Sequence, residues 1–137
     1  MKNYEIIEHT ADVGIRVKGK DLKDLFRKAA LAISDISSEK ITKDKKIKTI
    51  TIRQKAENLD ELFVNWLNEL LSLSAVKELI FEDAKIKKLD NTCLEATVSG
   101  SNIKNYKVNT EIKAATYHDL KLEQTRSGYV AEVIFDV

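Results

Sequence analysis

The chain of 137 residues has no proline, only four glycines and a single cysteine, Cys93. One cysteine cannot form an internal disulfide, so the fold does not depend on an oxidising compartment, and we expect a cytoplasmic protein. The scarcity of proline and glycine excludes flexible linkers and low-complexity segments. We therefore predict one domain that spans residues 1–137.

Long hydrophobic runs are also missing. The longest purely apolar run, Ala29 to Ile33, is far shorter than the roughly 20 residues that a membrane-spanning helix needs. The N-terminal stretch from Met1 to Glu5 ends in an acidic residue where a secretory signal would need an apolar core. We expect neither a membrane span nor a targeting segment.

Neither sign of charge dominates, because the chain has 23 basic and 22 acidic residues. Proteins that hold nucleic acid unaided are usually strongly basic, since neutralised phosphates supply much of the affinity. The local exception is the lysine-rich stretch from Lys40 to Lys48. Such a run is typical of a solvent-exposed loop. A small RNA-binding module that uses this stretch is the alternative.

Two segments have the three-and-four spacing of apolar residues that marks one face of a helix. They extend from Asp21 to Ile36 and from Asn58 to Leu73. Asp21 is suited to cap the first helix, and Asn58 with Glu61 resembles a capping box for the second. Each helix therefore has an apolar face to bury.

The remaining apolar residues alternate with polar ones, as in strands. The first two strands form a hairpin whose connection is His9 to Asp12, and the last strand is apolar on both faces, which indicates a central position. The predicted strands include Ile6–Ile7, Val13–Val17, Ile50–Ile52, Leu94–Val98, Tyr106–Ala114 and Tyr129–Asp136. We predict an α+β fold, an antiparallel or mixed β-sheet with two amphipathic helices packed on one face.

Metal chemistry is limited by the side chains available. With one cysteine and two histidines, His9 and His118, a zinc site would need a carboxylate to complete it. Oxygen ligands fit better: Asp12 lies in a predicted turn, and Asp136 is next to the terminal carboxylate of Val137. If the fold brings these groups together, they repel unless a hard cation such as Ca²⁺ or Mg²⁺ binds them. The alternative is that Asp12 is an ordinary turn residue and Asp136 an ordinary terminal one.

Nucleophilic catalysis has little support. Cys93 is in an alternating strand with no basic motif beside it, and the sequence has neither a G-x-S-x-G motif nor a glycine-rich nucleotide loop. His118 could act as an acid or base, although a lone histidine in a strand more often makes a local hydrogen bond. Lys113 is on the polar face of the predicted strand Tyr106–Ala114, where it would face solvent.

Four blocks of the sequence together resemble the archease family. They occur in the family's order and cover essentially the whole chain. The blocks are Glu8 to Gly14, Asp60 to Leu71, Ile112 to His118 and Val133 to Val137. The chain departs from the family pattern between Gly100 and Lys107, which is shortened and has Tyr106 where archeases often have histidine.

The resemblance implies a role that composition does not show. Archeases are accessory proteins, with a chaperone-like fold, of the RNA-splicing ligase that acts in tRNA maturation. That ligase is metal-dependent, uses GTP and passes through a guanylylated histidine. The resemblance implies that this chain is not an enzyme but promotes guanylylation and multiple turnover of the ligase, and that it meets tRNA only indirectly.

The resemblance also assigns residues. It implies that Asp12 and Asp136 are acidic ligands of a divalent ion. Together with the Val137 carboxylate we expect them to hold Ca²⁺, with Mg²⁺ as the alternative. It makes Lys113 the important lysine of the site.

The two histidines complete the expected site. His9 would orient the metal-binding turn, and His118 ends the third archease-like block as a further functional residue. A stand-alone metal-dependent enzyme, in which the same carboxylates and His118 activate water, is the alternative function.

Overall fold

The computed structural model describes residues 3–7, 12–43 and 46–137. Most of these residues form helices and strands. In chain order the elements are β1 (Tyr4–Ile7), β2 (Val13–Gly19), α1 (Leu22–Ser37), β3 (Ser38–Lys40), β4 (Lys48–Lys55), α2 (Leu59–Lys77), β5 (Leu79–Leu89), β6 (Cys93–Asn102), a 3₁₀ turn (Ile103–Asn105), β7 (Tyr106–Val108), β8 (Ala114–Thr125) and β9 (Gly128–Asp136).

The strands of the described ranges pair antiparallel in three sheets. One has the order β1-β2-β9-β8, the second β4-β6-β5, and the third joins β3 to β7. The N-terminal hairpin and the central position of the last strand are as predicted. The α+β class with two helices is confirmed.

Both helices begin where their capping residues predict. The Asp21 side chain accepts a hydrogen bond from the Asp24 N–H at 2.8 Å, and the Asn58 side chain accepts one from the Glu61 N–H at 2.9 Å. The second helix continues beyond the predicted end to Lys77 and stops at Glu78, whose φ is 55°. A left-handed residue is a common way to end a helix.

The core lies between the helices and the sheets. Trp66 is fully buried and donates its indole N–H to the Phe26 carbonyl oxygen at 3.0 Å. The rings of Phe26 and Phe63 meet edge to face, with their centroids 5.1 Å apart. These contacts join the apolar faces of α1 and α2.

The predicted strand from Tyr106 to Ala114 is wrong. Strand β7 ends at Val108, and β8 begins only at Ala114. Between them the N–H groups of Asn109 and Thr110 donate to the Ser37 carbonyl oxygen at 2.8 and 3.2 Å. The sequence alternates here, but the chain is crossing from the partner of β3 to the partner of β9, so no one neighbour pairs with the whole stretch. Lys113 therefore precedes β8 rather than standing on the face of a long strand.

The strand β5 was not predicted. Its register with β6 shifts between Phe81 and Asp83 and again between Ile86 and Lys88. Such bulges interrupt the two-residue alternation by which a strand is recognised. Gly100 of β6 permits the close pairing, since a Cβ there would lie 2.5 Å from the Ile80 carbonyl oxygen.

Candidate functional site at the β2–β9 edge

Strands β2 and β9 are the two central strands of one sheet, and they bring the two predicted acidic ligands to the same end of the strands. We call this end the β2–β9 edge. The last pair of their register is Val13 with Phe135, so Asp12 and Asp136 each stand one residue beyond it. Continuing the alternation of the ladder places both aspartates on the face that carries Gly14 and Ile134. Directly opposite residues of an antiparallel pair have Cβ atoms about 5 Å apart. The register therefore brings both aspartates to the same end of the β2–β9 pair, each next to its last paired residue.

Lys113 approaches the same edge from strand β8. Its backbone N–H donates to the Asp136 carbonyl oxygen at 2.8 Å, and the next residue, Ala114, pairs with Asp136. The hydrogen bond fixes the backbone of Lys113 beside the C-terminal residues, while its side chain is exposed.

This edge is open to solvent. Asp136 is exposed, Val137 is 42% exposed and Asp12 is half-buried. Within residues 3–7, 12–43 and 46–137 no three or more His, Cys, Asp or Glu side chains cluster as a metal site. Carboxylate oxygens such as those of Asp12 and Asp136 are the ligands that a hard cation prefers. His9 lies outside the described residues.

Asn68 of α2 fixes the start of β8, a role that sequence reasoning missed. Its side-chain oxygen accepts from the Ala115 N–H at 2.7 Å, and its amide nitrogen donates to the Ala115 carbonyl at 3.2 Å. A side-chain amide thus takes the place of a neighbouring strand. The only sign of this role in the sequence was an amide side chain on a largely apolar face of the helix. The sequence did not show that Ala115 is the partner of Asn68.

Comparison with known proteins decides the family. The model of the archease protein family matches residues 4–137. This chain belongs to the archease family. It is 34% identical over 143 residues to the protein archease of Pyrococcus abyssi, with 100% of both chains covered. It is 33% identical over 145 residues to the protein archease of Methanosarcina barkeri, covering 99% of this chain and 97% of that one.

Solved structures agree with this membership. The solution structure of Methanobacterium thermoautotrophicum protein 1598 superposes with a TM-score of 0.78 at 27% identity and full coverage of both chains. The crystal structure of a Thermotoga maritima archease, described as a possible chaperone, gives 0.65 at 27% identity, over 96% of this chain and 94% of that one. Neither α1 nor α2 is long and apolar enough to cross a membrane, nor is any other helix of the described ranges.

His118, which ends an archease-like block, lies in an irregular part of β8. It falls in a register break of β8 between Thr116 and Lys121, beside Asp119 with a φ of 50°. Its Nε2 lies 3.4 Å from the Asp119 carboxylate, and 65% of its side chain is exposed. Ala114 pairs with Asp136, and His118 follows four residues later in the chain.

The N-terminus of α2 adds negative charge near this part of β8. Partial burial raises the pKa of the Tyr117 hydroxyl, and the charges of Glu61 and Asp60 raise it further. Glu61 and Asp60 therefore lie close enough to act on the Tyr117 hydroxyl of β8.

The lysine-rich stretch divides into two parts. Lys40 belongs to β3, pairs with Glu82 at 2.7 Å and lies 5.9 Å from the centroid of the Tyr106 ring. Partial burial and a hydrogen bond to Glu82 raise the pKa of Tyr106 to about 12. Lys43, Lys46 and Lys48 are exposed, and Lys45 lies outside the described residues. Lys40 therefore belongs to a polar cluster on the fold rather than to a solvated loop.

Proposed function

We propose that this member of the archease family is an accessory protein of an RNA-splicing ligase, which it activates for GTP-dependent guanylylation and repeated turnover. The observation that supports the proposal is the β2–β9 register, whose last pair, Val13 with Phe135, lies next to both Asp12 and Asp136. Membership of the family supports the class of partner.

Two carboxylates side by side on a sheet repel each other, and a cation relieves that repulsion. Asp12, Asp136 and the Val137 carboxylate would hold a divalent ion, for which we propose Ca²⁺, with Mg²⁺ as the alternative. Asp12, Asp136 and Val137 form the tip of the β2–β9 edge. When bound, the ion would concentrate positive charge at this tip, where the phosphates of a nucleotide-bound ligase can meet it. The exposure of Asp136 and Val137 supports this role.

Lys113 adds an exposed, positively charged side chain to the same tip. Its backbone is fixed by the hydrogen bond to Asp136, so the side chain extends from a defined position. A protein that binds one conformation of its partner more tightly shifts the population toward it without making or breaking bonds. We propose that the tip binds the guanylylation-competent conformation of the ligase in this way, which accords with the description of the Thermotoga maritima relative as a possible chaperone.

The exposed edge argues against a stand-alone hydrolase. Metal-activated water chemistry needs an open coordination position within a site that excludes bulk water. Asp136 is exposed, and 65% of the His118 side chain is exposed as well. The accessory role requires neither a closed pocket nor a histidine at the ion.

Asp12→Asn and Asp136→Asn test the proposal, with Asp83→Asn as the control. Asp83 is an exposed aspartate of β5 whose ion pair with Arg27 is also exposed. Purified ligase would be assayed for guanylylation and for multiple-turnover RNA joining with each variant. We expect both tip variants to lose most of the stimulation and the control to keep it. Full stimulation by both tip variants would refute the site.

Lys113→Ala is tested in the same assays, with the exposed Lys107→Ala as its control. The proposal expects weaker stimulation of guanylylation by Lys113→Ala alone. Stimulation equal to that by the unmodified chain would remove Lys113 from the mechanism.

A further inference from the structure

A row of cations follows β2 at the end of the sheet opposite the aspartates. Arg16 and Lys18 alternate with the buried Val17 and Gly19, and Lys20 continues the row beyond the strand. Alternate residues of a strand share a face and are about 6.7 Å apart. That interval is comparable to the distance between successive phosphates of a nucleic-acid strand.

The row forms one wall of an open cleft of about 670 Å³. Lys121 of β8 and Lys28 of α1 also line it, whereas Glu132 is its one acidic lining residue. The Glu132 carboxylate lies 3.5 Å from the Arg16 guanidinium and 3.8 Å from the Lys121 ammonium. It therefore positions two cations across the sheet.

Among the described residues, two cations of this basic cleft form no ion pair, and the Asp24 carboxylate attracts the charge of Lys20 only from a longer distance. Arg16 has a second partner in Glu5 at 2.9 Å, and Lys28 pairs with Asp24 at 3.0 Å. Lys18 and Lys20 are exposed and have no carboxylate partner in the part of the chain that the structure describes. The Lys20 backbone N–H donates to Asp24 at 2.9 Å, which fixes the start of its side chain.

The turn between β8 and β9 builds the other wall of the cleft. Gly128 has a φ of 148°, and a Cβ on it would lie 2.1 Å from the Gly19 carbonyl oxygen. The turn therefore lies directly against Gly19 and Lys20. This contact places Thr125 and Ser127, whose hydroxyls can donate to phosphate oxygens, in the lining of the cleft.

We propose that the basic cleft binds the phosphate backbone of a single RNA strand. The formal charge of +1 conceals a separation of charge, with Asp12 before β2, Asp136 at the end of β9, and Lys18 and Lys20 at the other end of β2. Asp12 and Lys20 lie about 27 Å apart at the usual rise of roughly 3.3 Å per residue. The biological setting rests on the proposed function: one end would face the ligase while the other holds the RNA being joined.

NMR titration of the ¹⁵N-labelled chain tests binding without the ligase. An unlabelled oligoribonucleotide of mixed sequence would be added to one sample, and inorganic phosphate alone would be added to another. We expect amide shifts at residues 16–20 and 125–128 that saturate with RNA at far lower concentration than with phosphate. Lys18→Gln/Lys20→Gln should need a several-fold higher RNA concentration to saturate them. Lys55→Gln/Lys85→Gln, which removes two exposed lysines of the other sheet, should leave them intact.

Salt dependence gives a second readout. Each phosphate contact on a single strand contributes about 0.7 to the slope of log affinity against log salt, so the loss of two contacts should reduce the slope by about 1.4. No RNA shifts, shifts confined to residues 40–48, an equal effect of phosphate, or an equal loss in the control pair would each overturn the proposal.

A ligase assay separates this inference from the proposed function. Lys18→Gln/Lys20→Gln should stimulate guanylylation normally in the absence of RNA but require several-fold more RNA for half-maximal joining. If guanylylation is not stimulated even by the unmodified chain, the proposed function fails while the RNA titration still decides the cleft. If joining by the variant shows the normal RNA requirement, the cleft has no part in the reaction.

Discussion

The side chain of Asn68 pairs with both backbone groups of Ala115, at 2.7 Å and 3.2 Å, as a strand would. Ala115 is buried, so neither group has water as a ready substitute. Through Ala114, which pairs with Asp136, this contact connects helix α2 to the edge where the proposed ion site lies. The site therefore depends on a helix that contributes no ligand to it.

Asn68→Ala should destabilise the protein. The substitution leaves a buried N–H and a buried carbonyl without their partners, and each such loss costs about 1–3 kcal/mol. We expect the free energy of unfolding in urea to fall by about 2 kcal/mol or more. The exposed Asn91→Ala is the control and should change it little. Equal effects of the two substitutions would mean that the pairing with Ala115 contributes no stability.

Gly128→Ala should be far more costly than Gly14→Ala. A Cβ at Gly128 would approach the Gly19 carbonyl oxygen to 2.1 Å, and its φ of 148° is unfavourable for alanine. At Gly14 the nearest atom would be the Ile7 carbonyl oxygen at 3.2 Å, which a small shift relieves. Strained backbone alone costs about 1–3 kcal/mol, so we expect a lower melting temperature for Gly128→Ala than for Gly14→Ala. A reversed order would contradict the close packing of the turn.

The Glu82 carboxylate should make stability depend on pH. Burial alone would raise its pKa, but hydrogen bonds from Lys40 and Tyr106 and the charge of Lys40 hold the pKa below its ordinary value. A depressed carboxyl pKa in the folded state gives stability that is present above the unfolded value of 4.5 and is lost as pH falls through the folded value. Glu82→Gln should therefore be less stable than the unmodified chain at pH 7.

That difference should shrink as the pH is lowered from about 5 to 2, because the unmodified chain then loses its carboxylate too. Urea unfolding at several pH values measures it. Glu39→Gln, at an exposed position of β3, is the control. A Glu82→Gln difference that stays constant over this range would show that the ionised carboxylate does not stabilise the fold.

Calcium should stabilise the chain through Asp12 and Asp136. A ligand that binds only the folded state adds about 2.7 kcal/mol when present at a hundred times its dissociation constant. We expect Ca²⁺ to raise the melting temperature and a chelator to reverse the rise. Asp136→Asn should remove the response, and Asp83→Asn should retain it. A response that survives Asp136→Asn would place the ion elsewhere, and a response to Mg²⁺ alone would change its identity.

Local structure was largely predictable from sequence because its causes are local. The spacing of apolar residues and the caps Asp21 and Asn58 predict where both helices begin, since these interactions act within a few residues. The alternation from Tyr106 to Ala114 was misleading for the same reason. The alternation of apolar and polar residues does not show whether a neighbouring strand is available. Here no single strand pairs with the whole stretch.

By itself the sequence determined the α+β class, the helix starts and the candidate acidic residues with their archease-like motifs. Only the tertiary structure decided which of these residues meet. Strand pairing between distant segments puts Asp12 beside the position of Asp136, and it gathers Lys18, Lys20 and Lys121 into a cleft although no basic run marks them in the sequence. Contacts between remote segments depend on which strands pair and in which register. Burial of the apolar faces in one core decides that pairing, and residues adjacent in the sequence do not.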